Sequence, residues 1–188
     1  MSAPEFCFIT DTREKEGSRW ELPQAKIAKL DVGDYSVEGY EPVMAIERKG
    51  FDDLFKCLGV DLRRFRKQMI ALGKLRYKAL MIESTANSIS YGHPISKIKG
   101  AEAMTRLIHL CVTSSVPLVF CDRHGASMCA SFLVEFWQSE QKADYHEGVV
   151  KAKREAKSAK EAKRTSPAGE GSRPRTNSKG GSRTTQKK

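Results

Sequence analysis

The sequence predicts one α/β domain with a mixed central sheet and helices on both faces of that sheet. Short apolar runs, of which 43–46 and 79–82 are the clearest, have the length and composition of buried strands. Elsewhere, apolar residues recur three and four positions apart, which is the spacing of a buried helix face. A length of 188 residues suits one such domain. We place it at residues 1–146 and assign residues 147–188 to a basic tail.

Six strands are predicted along the chain. The second alternates loosely between apolar and polar residues and is expected to be half exposed, whereas the others are apolar enough to be buried. Glu38-Gly39 supplies a hairpin turn between the third strand and the fourth. The predicted strands are residues 6–9, 25–30, 36–37, 43–46, 79–83 and 116–120.

Four helices are predicted from apolar spacing and from start and stop signals. The first begins at Asp52 or Asp53 and stops at Gly59, and the second begins at Asp61. The other two span residues 100–114 and 126–137. Residues expected to face inward in the second and third helices are Leu62, Phe65, Met69, Leu72, Met104, Leu107, Ile108 and Cys111.

A polar segment at residues 84–96 is predicted to be a loop. It contains Tyr91-Gly92-His93-Pro94, in which glycine and proline favour irregular backbone. His93 is a candidate for acid–base chemistry, and an exposed histidine without a catalytic role is the alternative.

Positive charge is concentrated in the tail. Residues 151–188 contain 13 Lys/Arg and 3 Asp/Glu, whereas residues 1–150 contain 20 of each, so the tail carries the whole net charge of +10. Residues 149–164 have high helix propensity without an apolar stripe, and residues 165–188 have the composition of a disordered segment. A basic tail on a neutral body predicts an electrostatic arm for a polyanion, and a solubilising tail is the alternative.

The cysteines and the N-terminus indicate the setting of the protein. Five cysteines without a C-x-x-C pair predict neither a disulfide framework nor a zinc site. Cys57, Cys111 and Cys129 fall in apolar helical patterns and are expected in the core. The N-terminus lacks the basic and apolar regions of a signal peptide, and no apolar run is long enough to span a bilayer. We therefore expect an intracellular protein, cytoplasmic in a bacterium or virus and nuclear in a eukaryote, without a membrane partner.

The candidate site lies in residues 33–53. If the strand at 43–46 continues through the next three residues, Glu47 and Lys49 share one face and Arg48 takes the other, because side chains alternate along a strand. Asp34 would come from the neighbouring strand or turn. The charged residues of this stretch that carry the interpretation are Asp34, Glu47, Arg48, Lys49 and Asp53.

Two carboxylates and a lysine at one point suit the hydrolysis of a phosphodiester. Carboxylate oxygens hold a hard divalent cation such as Mg²⁺, or Mn²⁺ in its place. The cation neutralises charge that develops on the phosphate and lowers the pKa of a water molecule, which the lysine orients. The alternative is an exposed, charged strand end after a hairpin.

The spacing Gly33-Asp34, Glu47-Arg48-Lys49 and Asp53 resembles the active-site signature of the XPF-type structure-specific endonucleases. Thr10 to Glu14 resembles the family's Asp-x-Arg-Glu, and Met81-Ile82-Glu83 resembles its Leu-Ile-Glu. The resemblance extends over residues 6–140. It implies a restriction-endonuclease-like core, metal-dependent cleavage of DNA, a range of branched or flap substrates in repair, recombination or replication, and a homodimer formed through the nuclease domain.

The resemblance also implies roles for individual residues. Asp11 would join the two carboxylates of the site as a metal ligand, and Arg13 and Glu14 would support it. Asp53 either holds Lys49 or Arg48 or satisfies backbone N–H groups at the helix start. The implied catalytic residues are Asp11, Asp34, Glu47, Arg48 and Lys49, and the implied metal ligands are Asp11, Asp34 and Glu47.

The second predicted helix carries candidate DNA contacts. A basic cluster of this kind is often a solvated face, but beside a nuclease site it favours contacts to phosphates, which add affinity without reading sequence. The helix at 126–137 either forms the dimer interface or packs against its own sheet. A non-catalytic DNA-binding subunit of a heterodimeric nuclease is the alternative function. The candidate DNA-binding residues are Arg63, Arg64, Arg66, Lys67 and Gln68.

Overall fold

Residues 6–122 and 124–165 are described by the computed structural model, and they fall into two units that divide between Asp144 and Tyr145. The part of the predicted tail at residues 166–188 lies outside the described residues. No helix in the described part of the chain is long and apolar enough to cross a membrane.

A six-stranded mixed sheet forms the centre of the first unit, as predicted. Its strand order is β2-β1-β3-β4-β5-β6. β3 pairs antiparallel with β1 and with β4, whereas the pairs β1–β2, β4–β5 and β5–β6 are parallel. The strands are β1 (Phe8–Asp11), β2 (Lys26–Ala28), β3 (Tyr35–Val37), β4 (Met44–Gly50), β5 (Tyr77–Glu83) and β6 (Leu118–Cys121).

Five helices are present in the described residues, and one of them falls in the predicted loop at 84–96. This short helix forms because the Thr85 hydroxyl accepts a hydrogen bond from the Ser88 backbone N–H at 3.1 Å and Ile89 is fully buried. A segment of six mostly polar residues does not display enough apolar spacing to predict it. The helices are α1 (Phe51–Leu58), α2 (Leu62–Gly73), α3 (Ala86–Tyr91), α4 (Gly100–Ser114) and α5 (Gly125–Thr165).

The sheet separates two hydrophobic cores. On one face, Ala45 of β4 packs with buried residues of α1, α2 and α4. On the other face, Met44 and Ile46 pack with Cys129 and Leu133 of α5. Because side chains alternate along β4, the residues that follow Ile46 are divided between the same two faces.

Two predictions about packing are corrected or resolved. Ile108 of α4 was expected to face inward, but it is 49% exposed, and Ala103 and Leu110 are buried in its place. The helix at 126–137 packs against its own sheet, because Leu133 is fully buried and the Phe136 ring stacks on Tyr77 with centroids 5.4 Å apart. Cys57, Cys111 and Cys129 are buried and unbridged, as predicted.

Candidate active site

The carboxyl-terminal half of β4 places Glu47 and Lys49 on one face of the sheet, as the alternation predicts. Both side chains are buried, and the Lys49 Nζ donates to Glu47 Oε1 at 2.6 Å and to the Arg48 carbonyl oxygen at 3.1 Å. Burial lowers the pKa of Lys49, but the charges of Glu47 and Asp34 and the hydrogen bond to Glu47 raise it above its ordinary value. Lys49 is therefore a fixed positive charge at neutral pH.

Asp34, the residue directly before β3, lies beside this pair. Its backbone N–H donates to the Ile46 carbonyl oxygen at 2.8 Å, and its Oδ2 accepts the Arg48 backbone N–H at 2.8 Å. These two bonds fix the carboxylate against β4 beside Glu47. Burial, and after it the negative charge of Glu47, raises the pKa of Asp34 to about 7. Glu47 is thus close enough to oppose the ionisation of Asp34.

Gly33 makes this placement of Asp34 possible. Its φ of +78° is in the region that side chains rarely adopt, and a Cβ at this position would lie 2.7 Å from the Ala45 Cβ. The glycine of the predicted signature therefore serves two purposes, a left-handed backbone turn and a close approach to β4.

We expect Gly33→Ala to destabilise the fold more than Gly39→Ala. Gly39 has a similar φ of +81°, but no atom lies within 4 Å of its added Cβ, so it reports the backbone strain alone. The strain costs on the order of 1–3 kcal/mol, and Gly33→Ala adds the clash with Ala45. Thermal unfolding of both variants measures the difference, and equal decreases in Tm would show that close packing at Gly33 is unimportant.

The raised pKa of Asp34 predicts how metal-free stability depends on pH. The ordinary pKa is 3.8 and the folded-state pKa is about 7, so the folded protein holds more protons than the unfolded chain between these values. Stability from protonated Asp34 is therefore lost as pH rises from about 4 to 7. In EDTA, Asp34→Asn should raise Tm by a few degrees at pH 8 and by less than half as much at pH 5. The same shift at both pH values would contradict the raised pKa.

Asp11 lies at the end of β1 with both carboxylate oxygens engaged. Oδ1 accepts from the Arg13 backbone N–H at 2.8 Å and from Arg13 Nε at 2.5 Å, and Oδ2 accepts from the Leu30 backbone N–H at 2.5 Å. Burial raises the pKa of Asp11, but these hydrogen bonds more than offset it and leave the pKa below its ordinary value. Asp11 is fully buried, and its contacts suit the anchoring of Arg13 better than contact with a cation.

Arg48 faces away from Glu47 and Lys49, onto the α5 side of the sheet. It donates to Glu83 Oε2 at 2.5 Å and to Glu14 Oε2 at 3.2 Å, and its guanidinium lies over the Trp20 ring, 5.2 Å from the centroid. Trp20 Nε1 in turn donates to Glu83 Oε1 at 3.3 Å. Arg48 and Glu14, both candidate site residues, are therefore brought together in an ion-pair network that does not include Asp34 or Glu47.

Asp53 is 58% exposed, and its Oδ2 lies 4.0 Å from Lys49 Nζ. The helix-capping alternative for Asp53 is wrong, because α1 begins directly after Gly50 and has no side-chain cap. Its negative charge in the first turn still favours the helix. What remains for Asp53 is a weak electrostatic contact with Lys49.

Only part of the basic cluster of α2 reaches the site. Lys67 and Gln68 line a cavity of about 220 Å³ together with Glu47 and Arg13. Arg64 lies three and four residues before them and so shares their side of the helix. The Gln68 Oε1 atom is buried without a hydrogen-bond partner in the described residues.

Arg63 and Arg66 are exposed and do not line this cavity. Arg63 lies one turn before Lys67 and is therefore next to the cavity side of α2, whereas Arg66 lies farther round the helix. The sequence did not identify Trp20 or Asp31 as residues near the site, and Trp20 was expected only to cover the core. Trp20 completes the Arg48 network and Asp31 lines the cavity beside Glu47. Neither residue belongs to a local pattern that would identify it.

The site fits a divalent cation of the magnesium type. No group of three or more His, Cys, Asp or Glu suited to a metal occurs among the described residues. Asp34 and Glu47 nevertheless lie near each other: burial and, after it, the charge of Glu47 raise the pKa of Asp34, and a cation would relieve both effects. Magnesium in phosphate-processing sites takes one or two carboxylates and completes its shell with waters and substrate oxygens.

A protein-family model matches most of the chain. The family model described as the ERCC4 domain matches residues 10–136, which is more than half of the chain and contains every residue of the candidate site. No curated protein matches the chain at a significant level of similarity.

Two solved structures of an archaeal protein resemble the fold. XPF from Aeropyrum pernix is 19% identical with a TM-score of 0.52, and the match covers 68% of this chain and 59% of that chain. XPF from Aeropyrum pernix in complex with DNA is 19% identical with a TM-score of 0.54, and the match covers 72% of this chain and 66% of that chain. The predicted fold, a mixed sheet flanked by helices, is confirmed by this likeness.

Proposed function

Because this chain belongs to the ERCC4 domain family, we propose that it is a DNA endonuclease that hydrolyses phosphodiester bonds with the help of a divalent metal ion. The observation that carries the proposal is the buried group of Asp34, Glu47 and Lys49 beside a cavity lined by Lys67 and Arg13. A carboxylate pair, a fixed cation and basic side chains around an open space are what phosphodiester hydrolysis requires.

Asp34 and Glu47 would hold Mg²⁺ or Mn²⁺, which supplies charge neutralisation at the phosphate and a lowered pKa for a water molecule. Lys49 stays protonated, so it cannot accept the proton of that water. Its ammonium group has three N–H donors, of which two are used by Glu47 Oε1 and the Arg48 carbonyl oxygen. The third donor is available to orient the attacking water or a phosphate oxygen.

Arg13 and Lys67 would hold the phosphate from the other side of the cavity. Asp11 fixes Arg13 through Nε, and the carbonyl oxygens of Leu30 and Gly33 accept from Nη2 at 3.1 and 3.3 Å. The Arg13 Nη1 makes no hydrogen bond within the described residues, so it can donate to a phosphate oxygen. In this proposal Asp11 acts through Arg13 and not as a metal ligand.

The two sides of α2 should contribute differently to DNA affinity. Replacing Arg64 and Lys67 with glutamine should reduce the slope of log K against log salt by about 0.7–0.9 for each phosphate that the protein no longer neutralises. The matched pair Arg63→Gln and Arg66→Gln removes the same charge from positions that lie farther round the helix from Gln68 and the cavity, and it should change the slope less. DNA-binding titrations in EDTA at several salt concentrations measure both slopes. Equal decreases for the two pairs would show that Arg64 and Lys67 do not contact phosphates preferentially.

The proposal also covers the shape of the DNA substrate. One of the two similar solved structures is a complex with DNA. We propose branched or flap DNA, in repair, recombination or replication. Purified protein with Mg²⁺ or Mn²⁺ should be incubated with single-stranded, duplex, flap, fork and four-way-junction DNA. Preferential cutting of branched forms supports this class, and equal cutting of plain duplex would exclude it.

One observation favours the alternative function, a non-catalytic DNA-binding subunit. The described residues contain two carboxylates at the site and no group of three metal-binding side chains. An inactive subunit would bind DNA as expected from α2 but would show no cleavage of any substrate with either metal. Substitution of Asp34 or Glu47 would then be silent.

A second copy of the chain is the proposed partner, and α4 offers a surface for it. Val112 is 71% exposed and Ile108 is 49% exposed, and both line an apolar cavity of about 370 Å³ with Pro117 and Leu118. Burying such an apolar patch against a second copy is favourable, because it removes apolar surface from water. Sedimentation of the chain at micromolar concentration decides this, since a strictly monomeric protein that still cuts DNA would exclude an obligatory dimer.

A further inference from the structure

A larger cavity lies beside α1, and the proposed reaction does not use it. It encloses about 460 Å³ between α1 with the turn that follows it and the segment 93–98. This volume is within the range of about 300–1,000 Å³ that is typical of small-molecule sites. We call it the α1 cleft, and its lining includes Phe55, Lys56, Val60, His93, Ile95 and Ile98.

The mouth of the α1 cleft is apolar. Val60 is 87% exposed and Ile95 is 88% exposed, although both are branched aliphatic residues. Tyr91, which ends α3 four residues before Ile95, is 91% exposed. Large apolar side chains concentrated at the mouth of a cavity mark a surface that a ligand covers.

The interior of the α1 cleft presents aromatic rings that are held in place. His93 stacks on Phe51 with centroids 5.3 Å apart and lies against Phe55 at the same distance. Its Nδ1 accepts the Ile95 backbone N–H at 3.3 Å, which leaves Nε2 as the donor to Asp52 Oδ1 at 3.0 Å. The imidazole is thus fixed at both nitrogens, and it serves as a flat packing surface instead of a free acid or base.

The α1 cleft is close to the proposed reaction centre. α1 begins at Phe51, directly after the last residue of β4, and its eight residues span about 12 Å. Asp52 lines both the α1 cleft and a second cavity at the end of β4, and Arg13 lines that second cavity as well as the cavity beside Glu47. A DNA strand advances about 3.4 Å per nucleotide in a duplex, so the cleft is a few nucleotides from the scissile phosphate.

Two lysines add positive charge to the α1 cleft. Lys56 and Lys97 line the α1 cleft and are exposed. Lys56 Nζ lies 4.0 Å from Asp61 Oδ2, so this ion pair is weak and leaves the ammonium group accessible. Apolar walls between two lysines suit a nucleobase flanked by its phosphates, because the base packs and the lysines contact the backbone. A base inside a duplex is stacked and paired and cannot enter such a cavity.

We propose that the α1 cleft binds the base of an unpaired nucleotide in a DNA strand that passes the reaction centre. The proposal rests on the proposed function, because a DNA strand would reach the α1 cleft only if DNA is bound at the nearby reaction centre. Binding depends on packing and not on hydrogen bonds to a base edge, so any of the four bases is accepted.

The test uses duplex DNA with a single-stranded extension and the full chain in EDTA, so that no cutting occurs. The fluorescent adenine analogue 2-aminopurine is placed at each unpaired position in turn. Binding of the wild-type protein should change the fluorescence of 2-aminopurine at one or two of these positions in the extension. The variant Val60→Ser/Ile95→Ser should lose that change and bind extended DNA about tenfold more weakly, with unaltered affinity for blunt duplex. Both residues are exposed and uncharged, so the fold and the net charge are preserved.

The matched control is Ile27→Ser/Ile70→Ser, which removes two exposed isoleucines elsewhere in the same unit and should behave like the wild type. A fluorescence change that survives Val60→Ser/Ile95→Ser, or an equal loss of affinity for blunt duplex, would overturn the proposal. A chain that cuts DNA but changes the fluorescence at no position would overturn it and leave the α1 cleft to an apolar side chain of a partner protein. Failure to bind any DNA would overturn both this proposal and the proposed function.

Discussion

Replacing Asp34 with asparagine, or Glu47 with glutamine, is expected to lower the rate of DNA cleavage at least about a hundredfold, the loss typical of a group that stabilises charge in the transition state. Both side chains are buried beside Lys49, and they would provide the negative charge that holds the metal ion. The amides keep the shape of the acids and one of their two acceptor oxygens, so the fold should persist. Single-turnover rates at saturating protein measure the loss.

The same substitutions should leave DNA binding in EDTA unchanged or make it tighter. Without a metal ion the two carboxylates repel phosphate, so the removal of one negative charge favours binding. Asp31→Asn is the matched control, because Asp31 is an exposed acid that lines the same cavity and is not assigned to the metal. Its cleavage rate should stay within a few fold of the wild type. Folded Asp34→Asn protein that cuts at the wild-type rate would show that the site is wrongly assigned.

Lys49→Met is the second substitution with a large expected effect on cleavage. The loss should again be at least about a hundredfold, because the attacking water and the phosphate lose the Lys49 donor that forms no hydrogen bond within the described residues. Metal binding should largely survive, since Asp34 and Glu47 remain. Calorimetric titration of the variant with Mn²⁺ separates these two properties.

Arg48→Met is the matched control for Lys49→Met, because the neighbouring cation lies on the opposite face of β4. It should mainly destabilise the fold, since Glu14 and Glu83 would lose their ion-pair partner. Breaking a buried pair costs about 3–5 kcal/mol, and the partly exposed network here should cost less. The folded fraction of Arg48→Met should still cut DNA. If it is folded and as inactive as Lys49→Met, Arg48 takes part in the chemistry.

The arrangement of the site on β4 could be predicted because it depends on a strict local rule. The side-chain period of a strand is two, so placing the strand at 43–46 was enough to assign Glu47 and Lys49 to one face and Arg48 to the other. Gly33 was visible as part of the signature that the sequence resembles, and the structure shows the physical reason for it, which is a left-handed turn. The strands of the sheet were predicted for the same reason, since apolar runs are local signals.

The partners of these side chains could not be predicted, because they come from distant segments. Nothing near Arg48 in the sequence indicates Trp20 or Glu83, which contact it from 28 and 35 residues away. Asp11 was expected to assist a metal ion, and only the fold shows its oxygens turned to Arg13 and Leu30. The α1 cleft also depends on two segments that meet in the fold, and the loop that lines it carries no motif.

Cleavage of one branched DNA, measured under single-turnover conditions as Mg²⁺ is titrated from EDTA, tests the central claim most directly. The claim is that Asp34, Glu47 and Lys49 form a metal-dependent reaction centre. The wild type should be inactive in EDTA and gain activity as Mg²⁺ is added, whereas the double variant Asp34→Asn/Glu47→Gln should stay inactive at every concentration while still binding the DNA. Cleavage by the wild type in EDTA, or by the folded double variant in Mg²⁺, would contradict the claim.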